Sequence, residues 1–426
     1  MRQFLLASTC FLALTAPAVA ETTISTTVTG PVRTSTVKTG GLPDDILINS
    51  SGVVNGNASG GVIIDSNHKL NNQGTIQIGN VNNIAGVDVA AGVTSGISLS
   101  GKIIVDEPFT PTDADNDGDL DGPFATGSGR FGIRTNGAMT GDILITTTGT
   151  ITIEGNNSAG IHLGGPLTGN FRHDGGTSVL GNNAIGIRLS DVSGNARLAG
   201  TISARGQGAI AVQSTGNISG AMVFQGAITA TGYRFTTPPS DPSKLDADDL
   251  LQGGPAVSIE GNVAKGIILA IPPKDNSTTD TDEDDDGIED AKEGSAAIIS
   301  FGSAAALRIG SAGAITIGAT ENSGTGFGLI VDGGILGSGL YTGVDGNALQ
   351  IGGLGGTVSI ANGIGVAGTI EAKSLDRNAT AVRLGAGATT PELRNSGKIL
   401  ASSGNNGLAT ATAVDVGVGA TLPTLK

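Results

Sequence analysis

The sequence predicts an all-β chain, a right-handed parallel β-helix with rungs of about 25 residues and loop insertions. Three observations carry this. Glycine supplies 71 of the 426 residues, there is no Trp, and only 2 Tyr occur; helices do not tolerate so much glycine in their interiors. Charged residues make up only 14%, too few for ordinary disorder. A short motif, Gly-Thr-Ile-x-Ile or a near variant, recurs along the chain, and a repeat of this period marks a solenoid.

The segment 149–165 shows one repeat in full. Thr150, Ile151, Thr152 and Ile153 alternate polar and apolar, the pattern of a half-buried strand. Gly155, Asn156 and Asn157 make a turn, because Gly and Asn accept positive φ. Gly160 to Leu163 is a second alternating strand, closed by Gly164 and Gly165. Copies of the first marker begin at Gly74, Gly101, Gly149, Gly176, Gly200, Gly226, Gly313, Gly356, Gly368 and Gly397. In the uninterrupted middle, Gly149, Gly176, Gly200 and Gly226 are separated by 27, 24 and 26 residues. Second strands begin at Gly160, Gly186 and Ala209, and third strands at Gly169, Gly194 and Gly216. Ile151, Ile153, Ile161 and Leu163 are expected to stack inward on their equivalents, with Thr150, Thr152 and His162 facing water. His173 aligns with Leu198 and reads as a corner or stacked residue. The Asn pairs 156–157, 182–183 and 405–406 fall at matching turns, where side-chain amides form ladders. About 13 rungs at the ~4.8 Å strand spacing give a rod of roughly 60 Å.

Residues 1–20 have the form of a secretory signal: Arg2 as the basic start, an apolar run from Phe4 to Ala16 too short to span a bilayer, and an Ala-Val-Ala cleavage site before Glu21. Cys10, the one cysteine, lies inside it, so the processed chain needs no disulfide for stability. Residues 21–48 are rich in Thr and Ser and are expected to cap the array, which then occupies 49–426. Three insertions interrupt it at 106–130, 233–252 and 272–293. The second contains Leu245-Asp-Ala-Asp-Asp-Leu-Leu251, a candidate short helix.

The net charge of −15 is uneven: the first and third insertions hold 17 of the 38 acidic residues and 3 of the 23 basic ones. The remaining scaffold is nearly neutral. It has no basic stripe, which argues against a nucleic-acid partner. In the third insertion Asp282, Asp284, Asp286, Asp290 and Glu293 fall at relative positions 1, 3, 5, 9 and 12, with Gly287 at 6. That spacing wraps one short loop around Ca²⁺, with the Ile288 carbonyl as a further oxygen at position 7. It resembles the calcium loops of bacterial thrombospondin type 3 repeats. The first insertion repeats the core spacing through Asp113, Asp115, Asp117, Asp119 and Asp121, but Phe124 stands where the last ligand belongs. A water or another loop must complete that shell.

Other chemistry is sparse. Gly96 to Ile103 is one residue short of a phosphate-binding loop and lacks its hydroxyl, so no nucleotide is expected. The three histidines and the cysteine-free scaffold do not make a metal site, and no Gly-x-Ser-x-Gly elbow occurs. Glu154, Asp332 and Asp345 are isolated in sequence. An enzyme is therefore not expected, with a polysaccharide-acting β-helix (lyase or hydrolase) as the alternative. A surface-layer-like structural protein is a further alternative.

The signal, the Gly-Thr-Ile-x-Ile rungs with Asn-Asn turns and the cysteine-free mature chain together resemble the passenger region of bacterial autotransporters, type V secretion. The Thr-rich start and Asp-rich insertions resemble alphaproteobacterial, sphingomonad-type passengers. The resemblance implies export to the cell surface, attachment to the outer membrane through a C-terminal barrel, and adhesion to a host-cell, matrix or polysaccharide ligand. The chain ends at Lys426 without the amphipathic strand series of such a barrel, which predicts a fragment of a longer protein.

Overall fold

The computed structural model describes residues 21–426, apart from 115, 117–119, 275, 277–278, 322, 405–406 and 408. The signal 1–20 and the Asn405–Asn406 turn lie outside the described residues. Three long parallel sheets run along the molecule. The first has 13 strands, from Thr22–Ile24 to Thr424–Leu425; the second has 12, from Thr27–Thr29 to Lys398–Ser403; the third has 12, from Val32–Arg33 to Ala411–Val416. One strand from each makes a rung, and each rung pairs in register with the next. The chain is thus a parallel β-helix with a rod length of roughly 60 Å at the ~4.8 Å spacing.

Strand periodicity decides what lies inside. In the second sheet, Ile76, Ile103 and Ile151 are consecutive register partners. The same column continues through Thr177, Ile202, Ile228, Ile298, Ile335 and Ile370. All of these isoleucines are almost completely buried, each contributing about 1.5–3 kcal/mol of transfer free energy. Thr150 and Thr152, one residue either side of Ile151, point outward. This column cannot be built from residues that break alternation, because a one-residue slip would turn every isoleucine to solvent.

Thr177 interrupts the column, and the reason is His173. The imidazole is fully buried, stacked in register between Ile145 and Leu198. Its Nδ1 lies 3.0 Å from the Ala199 carbonyl and its Nε2 2.8 Å from Thr177 Oγ1. A carbonyl only accepts, so Nδ1 carries the proton and Nε2 accepts from the Thr177 hydroxyl. Burial holds the imidazole below the usual histidine range and keeps it neutral. His162, by contrast, is half-buried on the outer face, edge-on to Phe131 with ring centroids 5.5 Å apart.

One corner requires a column of glycines. Where the chain enters the third sheet, Gly86, Gly132, Gly160 and Gly186 occupy successive rungs at the same height. A Cβ on Gly160 would lie 2.4 Å from Thr177 Cγ2 and 2.5 Å from the Gly186 carbonyl oxygen. Further along, Ala211, Ala256, Ala306, Ala348 and Ala381 take over the column, all at 0% exposure. Asparagine ladders hold the turns that lead into this corner: Asn156 Oδ1 accepts from the Asn182 amide at 2.8 Å, and Asn182 Oδ1 from the Gln207 amide at 2.9 Å. Asn157 and Asn183 take positive φ of 50° and 54°. A parallel ladder joins Asn170, Asn195 and the Ala221 amide.

The structure differs from the sequence reading at four places. Thr22–Ile24, Thr27–Thr29 and Val32–Arg33 already pair with the next rung, so the segment expected as a cap is itself the first rung. The markers at Gly313 and Gly356 belong to a small side sheet, Ile315–Ile317, Val358–Ile360 and Ala388–Thr389. The second-sheet strands there are Ala297–Phe301, Gly334–Gly339 and Thr369–Ser374. The third-strand copy expected at Gly216 lies in a bridge column with Val192 and Val263; the strand in register with Ala196–Leu198 is Met222–Phe224. Finally, Leu245 to Leu251 is not helical. A 3₁₀ turn forms just before it, at Pro242–Lys244.

Two predictions follow from these contacts. Gly160→Val should destabilise the rod by about 1–3 kcal/mol through overpacking, whereas Thr152→Val on the outer face should change little; equal urea midpoints for the two variants would contradict the corner argument. The His173 pair should make stability depend on pH. Its folded pKa is depressed, so below the unfolded value of ~6.5 the unfolded chain binds the extra proton and stability falls as pH falls. The double variant His173→Leu/Thr177→Val should lose less stability than the natural chain between pH 7.5 and 5.5. Parallel pH profiles would show that His173 is not the source.

Candidate cation-binding loops

The first and second insertions leave the rod at the same corner, between the second and third sheets. The first follows strand Lys102–Asp106 and precedes Arg130–Thr135; the second follows Ala227–Thr231 and precedes Val257–Ile259. The first is anchored by a buried ion pair. Glu107 accepts from Arg130 Nη1 at 2.8 Å and from the Thr126 and Gly127 amides at 2.6 and 2.8 Å, and Arg130 is 1% exposed. Burial alone would raise the Glu107 pKa, but these donors hold it below the ordinary glutamate value.

The two insertions dock onto each other. Arg234 Nη2 donates to the Gly122 carbonyl at 2.6 Å and to Asp248 Oδ2 at 2.7 Å, while the Gly122 amide donates to the same Asp248 oxygen at 2.7 Å. The Arg234 guanidinium also lies over the Phe124 ring, 5.1 Å from its centroid. Arg234 Nε is 3.1 Å from Oδ1 of the buried Asp249, close enough for an ion pair but not aligned as a hydrogen bond. Both tyrosines complete the lobe. Tyr233 is fully buried against Tyr341 at 4.8 Å, and Tyr341 donates to the Phe235 carbonyl at 2.8 Å.

This docking bears on the first acidic loop. Asp115, Asp117 and Asp119 lie outside the described residues. Asp113 follows Thr112, which bridges antiparallel to Asp121. Asp121 meets Asp246 and Asp248 of the second insertion, with one carboxylate oxygen from each within 4.8 Å of the others. Carboxylates of another insertion thus stand beside Asp121 of the first acidic loop. Sequence reasoning missed Asp246 and Asp248, because nothing in their local spacing relates them to a loop more than a hundred residues earlier.

The third insertion leaves a different corner, between Ile267–Leu269 of the first sheet and Ala297–Phe301 of the second. Of its six expected ligands, the structure gathers the five carboxylates into two overlapping groups. Asp282, Asp284 and Asp290 form one; Asp284, Asp286 and Glu293 form the other; within each, ligand atoms lie within 4.8 Å. Asp282 shapes the turn by accepting from the Asp286 and Gly287 amides at 3.0 and 2.9 Å. Gly287 takes φ of +88°, which favours glycine at position 6. The Ile288 amide donates to Asp286 Oδ1 at 2.8 Å, and Ile288 lines a cleft of about 250 Å³ with Asp174, Arg197 and Glu293.

Asp290 is the most telling group. It is 8% exposed, and neither carboxylate oxygen has a hydrogen-bond donor. Contact with the Glu283 carboxyl, burial and nearby negative charge push its pKa up to about 6. Burial and Asp286 likewise raise Asp284, and burial raises Glu293. Carboxyls packed this closely need a proton or a cation between them. Oxygen-only donors of this kind suit a hard cation such as Ca²⁺, and the orphaned oxygens of Asp290 fit one.

A second set of residues, also missed, receives the loop on the rod. Arg172 and Arg197 are register partners on the outer face of the first sheet, and both bind Asp174, Arg197 through Nε at 2.8 Å. Arg172 Nη1 donates to the Asp286 carbonyl at 2.6 Å. Arg197 Nη2 lies 2.8 Å from both Asp286 Oδ2 and Glu293 Oε1. Burial would lower the Arg197 pKa, but its bonds to Asp174 and Glu293 hold it above the ordinary arginine value. The repeated Asn-x-Arg of two successive rungs was the available signal.

No protein family, curated protein or solved structure matches this chain. The mutual docking of the first two insertions predicts that Arg234→Ala opens both. Limited proteolysis should then cut faster within 106–130 as well as within 233–252. Faster cutting confined to 233–252 would show that the insertions do not depend on each other.

Proposed function

We propose that the chain is a non-enzymatic, surface-displayed β-helical stalk, the passenger portion of an autotransporter exported by type V secretion. The observation that carries the reading is the rod itself: complete rungs stacked in register on a continuous apolar interior, with loops leaving at its corners. Such a solenoid gains its stability from neighbouring rungs, so it can fold rung by rung as the chain emerges. A processed chain without cysteine stays free of disulfides during passage through an oxidising compartment. Adhesion to a host-cell, matrix or polysaccharide ligand would fall to the insertions, and attachment to the outer membrane to a barrel. Ca²⁺ would order the acidic loops, held in the third insertion by the carboxylates of residues 282–293.

A second reading, a polysaccharide-acting enzyme, has one observation in its favour. A groove of about 360 Å³ on the second sheet is floored by the hydroxyls of Thr152, Ser178, Ser203 and Thr229, with Glu154 and Arg205 along it. Burial, with Asp106 and Glu107 nearby, raises the Glu154 pKa, as a general acid requires.

The test is display. The chain, with its signal and joined to an outer-membrane barrel, should reach the cell surface, where added protease removes it from intact cells. Protection from that protease, with the chain retained in the periplasm, would overturn the stalk reading. Purified chain should release no reducing or unsaturated sugar from acidic or neutral polysaccharides; release that depends on Glu154 would favour the enzyme.

A further inference from the structure

Positions 5 and 12 of the acidic loop in the third insertion, Asp286 and Glu293, are expected from spacing to bind the cation. Their surroundings assign them elsewhere. Asp286 faces protein groups at each oxygen: Oδ1 accepts from the Ile288 amide at 2.8 Å, the backbone carbonyl accepts from Arg172 Nη1 at 2.6 Å, and Oδ2 lies 2.8 Å from Arg197 Nη2 in an ion pair that is not aligned as a hydrogen bond. Glu293 gives Oε1 to the same Arg197 nitrogen at 2.8 Å. A cation seated among Asp284, Asp286 and Glu293 would share two of its ligands with a guanidinium already in contact with both. Like charges so close oppose each other strongly away from bulk water.

Both groups hold buried oxygens without a hydrogen-bond donor, Asp286 Oδ2 and Glu293 Oε2 in the first and both of Asp290 in the second, but the second differs in its charge partners. No arginine or lysine forms an ion pair with Asp282, Asp284 or Asp290 among the described residues. Asp290 is 8% exposed with both oxygens lacking a donor, and it shares a ligand sphere of 4.8 Å with Asp282 and Asp284. Its position is fixed from both sides, because its amide donates to the Thr281 carbonyl at 2.9 Å and its carbonyl accepts from the Glu293 amide at 3.2 Å. The last contact links the two groups directly: a cation drawing in Asp290 also sets the backbone from which Glu293 reaches Arg197.

We propose that the loop divides its carboxylates between two cations, a divalent metal ion held by Asp282, Asp284 and Asp290, and the arginine pair of the rod held by Asp286 and Glu293. This inference rests on the calcium reading above and narrows it. The insertion then acts as a metal-set brace. It leaves the rod beside strand Ile267–Leu269 and closes on Arg172 and Arg197, which stand in strands Phe171–His173 and Ala196–Leu198, three and two rungs back along the first sheet. The metal shapes the loop, and the arginines receive it.

The experiment uses the chain from Glu21 onward, with CaCl₂ as the only ligand. Binding is read by calorimetry, and closure of the brace by protease cutting within 272–293. Asp290→Asn and Asp282→Asn should each weaken Ca²⁺ binding at least about tenfold and leave the brace open at Ca²⁺ levels that protect the natural chain. Glu293→Gln and Arg197→Met should open the brace even in saturating Ca²⁺, while binding stays within about threefold or tightens. If Glu293→Gln or Asp286→Asn weakens binding as much as Asp290→Asn, the division of ligands is wrong although the calcium reading survives. If the natural chain binds no Ca²⁺ at millimolar concentration, the calcium reading itself fails, and this inference with it. An unchanged thermal transition of the rod checks that each variant is folded.

Discussion

In-register stacking of short parallel strands is the constraint on which the molecule depends. Each rung buries its inward residues only because the next rung presents the same pattern at the same height. The isoleucine column through Ile103, Ile151, Ile202 and Ile228 is the visible outcome. The glycine and alanine corner is its steric counterpart, since a bulky residue there meets the backbone of the neighbouring rung. The asparagine turns are its polar counterpart, each side chain satisfying an amide one rung on. Core, corner and turn are three solutions to one repeat condition.

That condition also defines where irregularity is allowed. A polar residue can enter the interior only with its own partner, as His173 does with Thr177 and the Ala199 carbonyl. An added segment can leave only at a corner, where the strands on either side still reach their register partners. The three insertions obey this rule, and each is then tied down by buried charge: Glu107 with Arg130, Asp249 with Arg234, and Asp174, Asp286 and Glu293 with Arg172 and Arg197. Removing one member of such a buried pair leaves an uncompensated charge, so the ties set loop placement more than net stability.

The parallel β-helix was legible in the sequence because alternation and turn chemistry are local properties. Ile151, Ile153, Ile161 and Leu163 are buried as their pattern requires, and the Asn156 and Asn182 turns form their ladder. The errors lie where a local pattern had to be assigned a place in three dimensions. Gly313 and Gly356 open Gly-x-x-x-Ile segments like any other, yet the residues around them shift those strands into a side sheet. The acidic loops divide in the same way. Asp282 to Glu293 could be found from spacing, whereas Arg172, Arg197, Asp246 and Asp248 come from elsewhere in the chain, the arginines brought in by the stacking of rungs and the two aspartates by the docking of one insertion on another. Asn-x-Arg at matching positions of two rungs hinted at Arg172 and Arg197; nothing comparable pointed to Asp246 or Asp248.

The first two insertions share one corner but belong to rungs four steps apart, a height difference of roughly 19 Å at the strand spacing. A rod of this kind is a ruler. Any segment grafted at a corner stands at a whole number of graduations from every other, on a chosen side, and its length does not disturb the scale. Distances between surface features can therefore be set by counting rungs, while the content of each feature changes freely.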